Sequence, residues 1–303
     1  MRVFVTGATG FIGSAVVREL IDAGHQVVGL ARSDHAAQAL ASAGAQAQRG
    51  SLEDLDSLRA GAARAEGVIH TAYIHDFSQM ENAAHTDLRA IETLGSALEG
   101  SGRPLVITTG TALIRPGQVA TEEDSAGPDA AHTRLRAERA AKEVAARGVR
   151  TAIVRPGASV HGEGDHGFVP VLIDIARAKG VSGHVGDGSN RWPAVHRLDA
   201  ARLYRLALEK APAGSVHHAI GDEGVPTREI AEVIGRHMDV PVISIDPADA
   251  GEHFGWIGVF FALDAPASSA LTRERLGWNP THPGLIEDLD RGHYFEQFAA
   301  VGS

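Results

Sequence analysis

The chain has 303 residues, 44% of them hydrophobic and 22% charged, which is long enough to bury a core without disulfide or metal staples and excludes a disordered, fibrous or membrane-spanning protein. Acidic residues outnumber basic ones, 38 to 28, which disfavours nucleic acid or acidic membranes as partners. There is no cysteine, so disulfides, thiolate nucleophiles and zinc-thiolate sites are excluded. No apolar run reaches about 18 residues, and the opening Met1 to Val5 is too short for a signal peptide, so a soluble cytoplasmic protein is the expectation.

Val3-Phe4-Val5 is a short run of β-formers, followed at once by Thr6-Gly7-Ala8-Thr9-Gly10-Phe11-Ile12-Gly13. Residues 14–23 place Val16, Val17, Leu20 and Ile21 at helical spacing before Gly24, and 26–31 read as a second strand. A glycine-rich turn between a strand and a helix has a physical purpose. One glycine permits the tight turn, one lets phosphate oxygens approach the backbone, and one packs helix on strand. The helix mouth then offers N–H groups and a positive dipole end to a pyrophosphate. Gly7, Thr9, Gly10, Phe11, Ile12 and Gly13 are therefore candidate dinucleotide contacts. An NAD site usually ends the second strand with an acidic residue on the ribose 2′-hydroxyl. Here the strand ends Ala31-Arg32-Ser33-Asp34. Arg32 can clamp a 2′-phosphate and Ser33 can donate to it, while Asp34 reads as the cap of a helix ending at Leu40. These residues favour NADP over NAD.

The alternation continues with a strand at 45–49, a short helix after Leu55, a strand at 67–72, an amphipathic helix at 81–98, a strand at 104–109, a helix at 131–147 and a strand at 150–155. Strands alternating with helices imply an α/β fold with a Rossmann-type, doubly wound parallel sheet, its ligand crevice at the C-terminal strand ends. Beyond Pro156 the rhythm loosens. Loops are expected at 162–167 and 183–192, helices at 168–179, 200–208, 227–238 and 270–276, strands at 215–220 and 241–245, and one more helix ending near Gln297. The expected division is a nucleotide-binding part, 1–160, to which 193–222 return, and a smaller substrate lobe made of 161–192 and 223–303.

Gly7-x-x-Gly10-x-x-Gly13 at the N-terminus resembles the short-chain dehydrogenase/reductase superfamily, specifically its extended, NAD-dependent epimerase/dehydratase branch. Gly50-Ser51-Leu52-Glu53-Asp54 resembles the segment bracketing adenine, with Ser51 where aspartate is usual. Val68-Ile69-His70-Thr71-Ala72 resembles the strand under the cofactor. Arg155-Pro156-Gly157-Ala158-Ser159-Val160-His161-Gly162 resembles the Arg-Pro…Val-Tyr-Gly segment near the nicotinamide, and Val195-His196-Arg197-Leu198-Asp199 the later His-Val-x-Asp motif. The resemblance adds Ala31, Gly50, Ser51, Leu52, Thr71, Ala72, Thr108, Pro156, Gly157 and Val160 to the cofactor contacts. It also implies a homodimer through the helices at 81–98 and 131–147.

The same resemblance implies a tyrosine that moves the substrate proton, tuned by a lysine four residues on. The lysines are Lys142, Lys179 and Lys210, and four residues before them stand Glu138, Ile175 and Leu206. No Tyr-x-x-x-Lys pair exists in this chain. Counting back from Arg155-Pro156 places the lysine site at Thr133 or Arg134 and the tyrosine site at Asp129 or Ala130. The remaining candidates for the chemistry are Thr109 and Thr111 after the fifth strand, as holders of a substrate oxygen, and Arg134 as a carboxylate or oxyanion partner. His132 and Tyr73 are candidate acids, whereas Tyr204 and Tyr294 are expected on peripheral helices. His161 stands where the branch often has an aromatic and is a candidate substrate contact, as is Trp192, with Phe254 and Trp256 nearby. His70, His75 and His85 fit no metal-ligand spacing. His196 and Asp199 are expected to tie the sheet to the lobe. The leading expectation is an NADP(H)-dependent oxidoreductase acting on a small organic carbonyl, alkene or imine with a non-standard proton donor. The alternatives are a nucleotide-sugar epimerase or dehydratase, and a nucleotide-sensing binding protein without turnover.

Overall fold

Short runs of β-formers separated by amphipathic helices lay down the first half of the chain. In the computed structural model, which describes residues 1–75, 79–125 and 133–299, these are β1 (Arg2–Thr6), α1 (Phe11–Asp22), β2 (Gln26–Ala31), α2 (Asp34–Ser42), β3 (Gln46–Arg49), α3 (Leu55–Ala63), β4 (Gly67–His70), α4 (Met80–Leu98), β5 (Pro104–Thr108), α5 (Thr133–Ala146) and β6 (Arg150–Pro156). There follow β7 (Ser159–His161), α6 (Phe168–Lys179), β8 (Ser182–Val185), β9 (Arg191–His196), α7 (Arg197–Lys210), β10 (Ser215–Ala219), β11 (Asp222–Pro226), α8 (Thr227–Met238) and β12 (Val242–Ile245). The chain closes with α9 (Ala250–Phe254), α10 (Gly258–Phe261), α11 (Ala270–Leu276), α12 (Leu285–Asp290) and α13 (His293–Ala299).

Seven strands form one parallel sheet in the order β10-β6-β5-β4-β1-β2-β3. The order runs outward in opposite directions from β1 and β4, so their C-terminal ends, where Thr6 stands opposite His70, form the switch point at which such sheets bind ligands. One face of the sheet packs on α1 and α7 through Val16, Leu20, Leu203 and Leu206. The other packs on α3, α4 and α5 through Leu58, Ile91, Leu94 and Val144. Both faces are covered, which is why the central strands read as continuous apolar runs.

Two small sheets lie outside this frame, β11-β9-β7 and β12-β8, around a third apolar cluster that includes Ile173, Trp192, Phe254 and Phe261. Here the sequence reading needs correction. The segment 183–192 was expected to be a loop, yet it contains most of β8 and the start of β9. Gly183 hides β8 because a Cβ there would meet His253, Ile245 and Phe254 side chains at 3.0 Å. Pro193 hides β9 because a residue without an N–H argues against a central strand. The last helix is two, α12 and α13, divided at Gly292 with φ +89°. The cap of α2 is Ser33, whose hydroxyl accepts from Ala36 N–H at 3.1 Å. Asp34 is already inside the helix and pairs with Arg49.

Candidate functional site

The glycine turn owes its residues to contacts that a Cβ would destroy. Gly7 has φ +68°, and a Cβ there would lie 2.6 Å from Ala72 N. A Cβ on Gly13 would lie 1.9 Å from the Gly7 carbonyl oxygen, so turn, helix and the segment after β4 are in direct backbone contact. Gly10 caps α1 without any side-chain acceptor, leaving the first-turn N–H groups to an outside anion. That open mouth fits a dinucleotide diphosphate.

The floor of the switch point is a buried polar chain. The Thr6 hydroxyl donates to His70 Nδ1 at 2.7 Å, and His70 Nε2–H donates to Asp87 at 2.9 Å. Thr71 donates its hydroxyl to the Thr6 carbonyl at 2.8 Å. Thr108 donates to the His70 carbonyl and lies 2.8 Å from the Tyr204 hydroxyl. Tyr204 is therefore fully buried against the sheet rather than peripheral. Tyr294 is buried too, accepting from Gly162 N–H and donating to Asp165.

At the end of β2, Ala31 is buried and Arg32 is exposed, with no ion pair recorded for Arg32 among the described residues. Ser33 uses a lone pair as the cap of α2 and keeps its hydroxyl proton. Gly50 bonds back to the Ala31 carbonyl at 3.2 Å, and Ser51 accepts from Glu53 and Asp54 N–H at 3.3 Å, which shapes the next loop. Leu52 packs against the core beneath it. Across the crevice, Gly157 lets the backbones meet, since a Cβ would lie 2.3 Å from the Pro193 carbonyl oxygen. Val160 packs on the main core.

The proposed chemical residues are distributed unevenly. Thr109 donates to Glu138 at 2.9 Å, and Glu138 takes both Arg155 Nε and Nη2 at 2.7 and 2.6 Å. Arg155 also donates to the Asp124 carbonyl. Thr111 is buried and its hydroxyl donates to the Pro156 carbonyl at 3.3 Å. Both hydroxyls, expected to hold a substrate oxygen, are here bonded to protein acceptors. Tyr73 is half-buried just past Ala72, its ring edge-on to His75 at 5.3 Å. Asp129, Ala130 and His132 lie outside the described residues, and Arg134 is the second residue of α5.

His161 and Trp192, the expected substrate contacts, are both buried within the protein. His161 is fully buried, donates from Nδ1 to Asp288 at 2.9 Å and sets its ring edge-on to His196. Burial works against the Asp288 carboxylate, but the bond and charge of His161 hold its pKa below the ordinary value. Trp192 is buried among Phe168 and Phe261 and donates to the Phe260 carbonyl at 3.0 Å. His196 caps α7 and stacks on His282 at 4.6 Å, while Asp199 accepts from Thr281 and His282. This ties α7 to the segment before α12. Burial, then the neighbouring His161 and His282, lowers the His196 pKa to about 4.

Sequence reasoning missed the Glu138–Arg155 pair, the Tyr204–Thr108 contact and the His161–Asp288 pair, whose partners are 17, 96 and 127 residues apart. Arg155 and His161 carried a signal through the shared Arg-Pro…Val-Tyr-Gly segment, and Thr108 as a cofactor candidate; their partners carried none. Among the described residues, no group of three metal-ligating side chains comes together, and no helix is long and apolar enough to cross a membrane.

The family model for the NAD dependent epimerase/dehydratase family matches residues 3–221, the stretch that holds the glycine turn and the whole seven-stranded sheet. The chain belongs to that family. It is 50% identical over 295 residues to the uncharacterized protein C2A9.02 of Schizosaccharomyces pombe, covering 97% of this chain and 100% of the relative. It is 28% identical over 283 residues to the 4-hydroxy-2-methyl-3-oxo-4-farnesyl-3,4-dihydroquinoline-1-oxide ketoreductase of Stigmatella aurantiaca, covering 88% and 84% of the two chains. Among solved structures it resembles the UDP-glucose 4-epimerase of Thermotoga maritima, with a TM-score of 0.78, 20% identity and coverage of 99% and 100%. That likeness establishes the shared fold. The family binds a nicotinamide coenzyme, and the open mouth of α1 fits one.

Proposed function

We propose that this member of the family is an NADP(H)-dependent reductase of a small organic carbonyl, alkene or imine. The observation that carries the coenzyme choice is Arg32, exposed at the end of β2 where an NAD site has a carboxylate. Its guanidinium and the remaining Ser33 hydroxyl proton suit a ribose 2′-phosphate. The turn from Gly7 to Gly13 would hold the diphosphate, Ser51 and Leu52 the adenine side, and Thr71, Ala72, Pro156 and Gly157 the nicotinamide side. A bound nicotinamide supplies the hydride; the protein orients the acceptor and manages its proton.

A reductase reading is supported by the ketoreductase relative, and reduction of an activated alkene or imine, whose proton demand is light, tolerates the missing tyrosine–lysine pair. Tyr73 follows β4, one residue beyond Ala72, whose backbone packs against Gly7. We assign it the proton donor's place, with 161–192 and 223–303 covering the substrate. Binding without turnover is a second reading, favoured by the engagement of Thr109 and Thr111 within the protein.

The test is direct. Purified protein should oxidise NADPH in the presence of some member of a panel of ketones, enones and imines, and Arg32→Asp should shift the ratio of NADP to NAD affinity by roughly tenfold or more toward NAD. An unchanged ratio would remove Arg32 from the site. Tight NADP binding without turnover across the panel would establish the second reading instead.

A further inference from the structure

The nine residues from Thr6 to Ser14 contain no cationic side chain, yet a dinucleotide diphosphate brings two negative charges to them. Arg18, farther along α1, is already bonded to Asp22 at 3.1 Å. Among the described residues, a cation reaches the mouth of α1 from the far side of the crevice. Arg197 is the first residue of α7, and its Cζ lies 4.9 Å from the centroid of the Phe11 ring, Phe11 being the first residue of α1. His166 meets the same ring edge-on at 5.7 Å.

This placement is not that of a free surface charge. A cation at the N-terminus of a helix faces the positive end of the helix dipole and is disfavoured there. Gly162 makes room for it, since a Cβ there would lie 3.1 Å from Arg197 Cγ, and Gly164 lies in ordinary contact with its Nη1. Both glycines have positive φ, +133° and +81°. Arg197 Nη1 donates to the Glu163 carbonyl at 2.8 Å, which fixes the stem and leaves four of the five guanidinium N–H groups for other acceptors. Arg197 also stands at the valine position of the His-Val-x-Asp pattern, so the charge is this chain's departure from it.

We infer that Arg197 is a diphosphate clamp, held by the 162–167 loop and aimed across Phe11 at an anion seated on the mouth of α1. The inference rests on the dinucleotide reading above and extends it to a residue outside the glycine turn. Arg197 supplies the counter-charge that the turn lacks, and through Glu163 it couples occupancy of the site to the 162–167 loop.

The test compares NADP⁺ with adenosine 2′-phosphate, which has no diphosphate, by calorimetry on the full-length protein at two salt concentrations. Arg197→Met keeps the stem and removes the charge. It should weaken NADP⁺ roughly ten- to a hundredfold and flatten its salt dependence, while adenosine 2′-phosphate stays within about twofold. Arg197→Lys should recover part of the loss. Unchanged NADP⁺ affinity overturns the inference, as does an equal loss for both ligands or a lowered apo melting temperature with diphosphate affinity intact. If the wild-type protein binds neither coenzyme, the dinucleotide reading fails and the clamp with it; if it binds NADP⁺ and Arg197→Met binds it equally, the clamp alone fails.

Discussion

Glu138 joins the nucleotide side of the molecule to its framework. Both its oxygens are committed, one to Thr109 and Arg155 Nε, the other to Arg155 Nη2, and the pair is almost wholly buried. A buried ion pair adds little over an apolar substitute, but removing one partner leaves an uncompensated charge. Glu138→Gln should therefore destabilise the protein by about 3–5 kcal/mol, seen as a drop in Tm of roughly 10 °C by calorimetry. A Tm within about 2 °C of wild type would show that water or a rearranged neighbour compensates Arg155.

At the level of elements, the decisive contact is helix α1 on the turn that precedes it. Gly13 is forced by geometry, since a methyl group there would overlap the Gly7 carbonyl and lie 2.9 Å from Thr71 Oγ1. Neither neighbour is the free end of a flexible side chain, so the helix itself must retreat. Gly13→Ala should thus move the N–H groups of α1 away from the diphosphate and weaken NADP⁺ binding at least about tenfold, because donor geometry falls off steeply with distance. Calorimetric titration beside a thermal melt measures both effects. Retained affinity would mean that the diphosphate is held elsewhere. The same element explains why α7 matters: it packs on α1 through the core and presents Arg197 to that mouth.

For the molecule as a whole, acid should be the destabilising direction. His196, His217 and His218 are each lowered to about 4, first by burial. Nearby positive charge adds to this at His217 through Arg275, whereas Glu122 pulls His218 back toward its ordinary value. A histidine whose folded pKa lies below its unfolded one costs nothing above the unfolded value near 6.5 and loses stability as pH falls from there toward the folded value. The lowered Asp288 acts in the same direction at lower pH. Calorimetry should show Tm falling by several degrees between about pH 7 and pH 5. A flat Tm over that range would mean that these imidazoles are solvated or move on protonation.

Local sequence determined the parallel sheet, the glycine turn and Arg32 at the end of the second strand, because period, turn chemistry and spacing act over a few residues. The helices α6, α8 and α11 were legible to the residue for the same reason, with apolar periodicity between clear stops. Long-range packing decided the rest. It turned Thr109, Thr111, His161 and Trp192 away from open space, buried Tyr204 and Tyr294, and built strands around Gly183 and Pro193, whose local preferences oppose them. It also carried Arg197 across the crevice to Phe11, a juxtaposition that no spacing along the chain encodes, because the two residues lie in distant parts of the sequence.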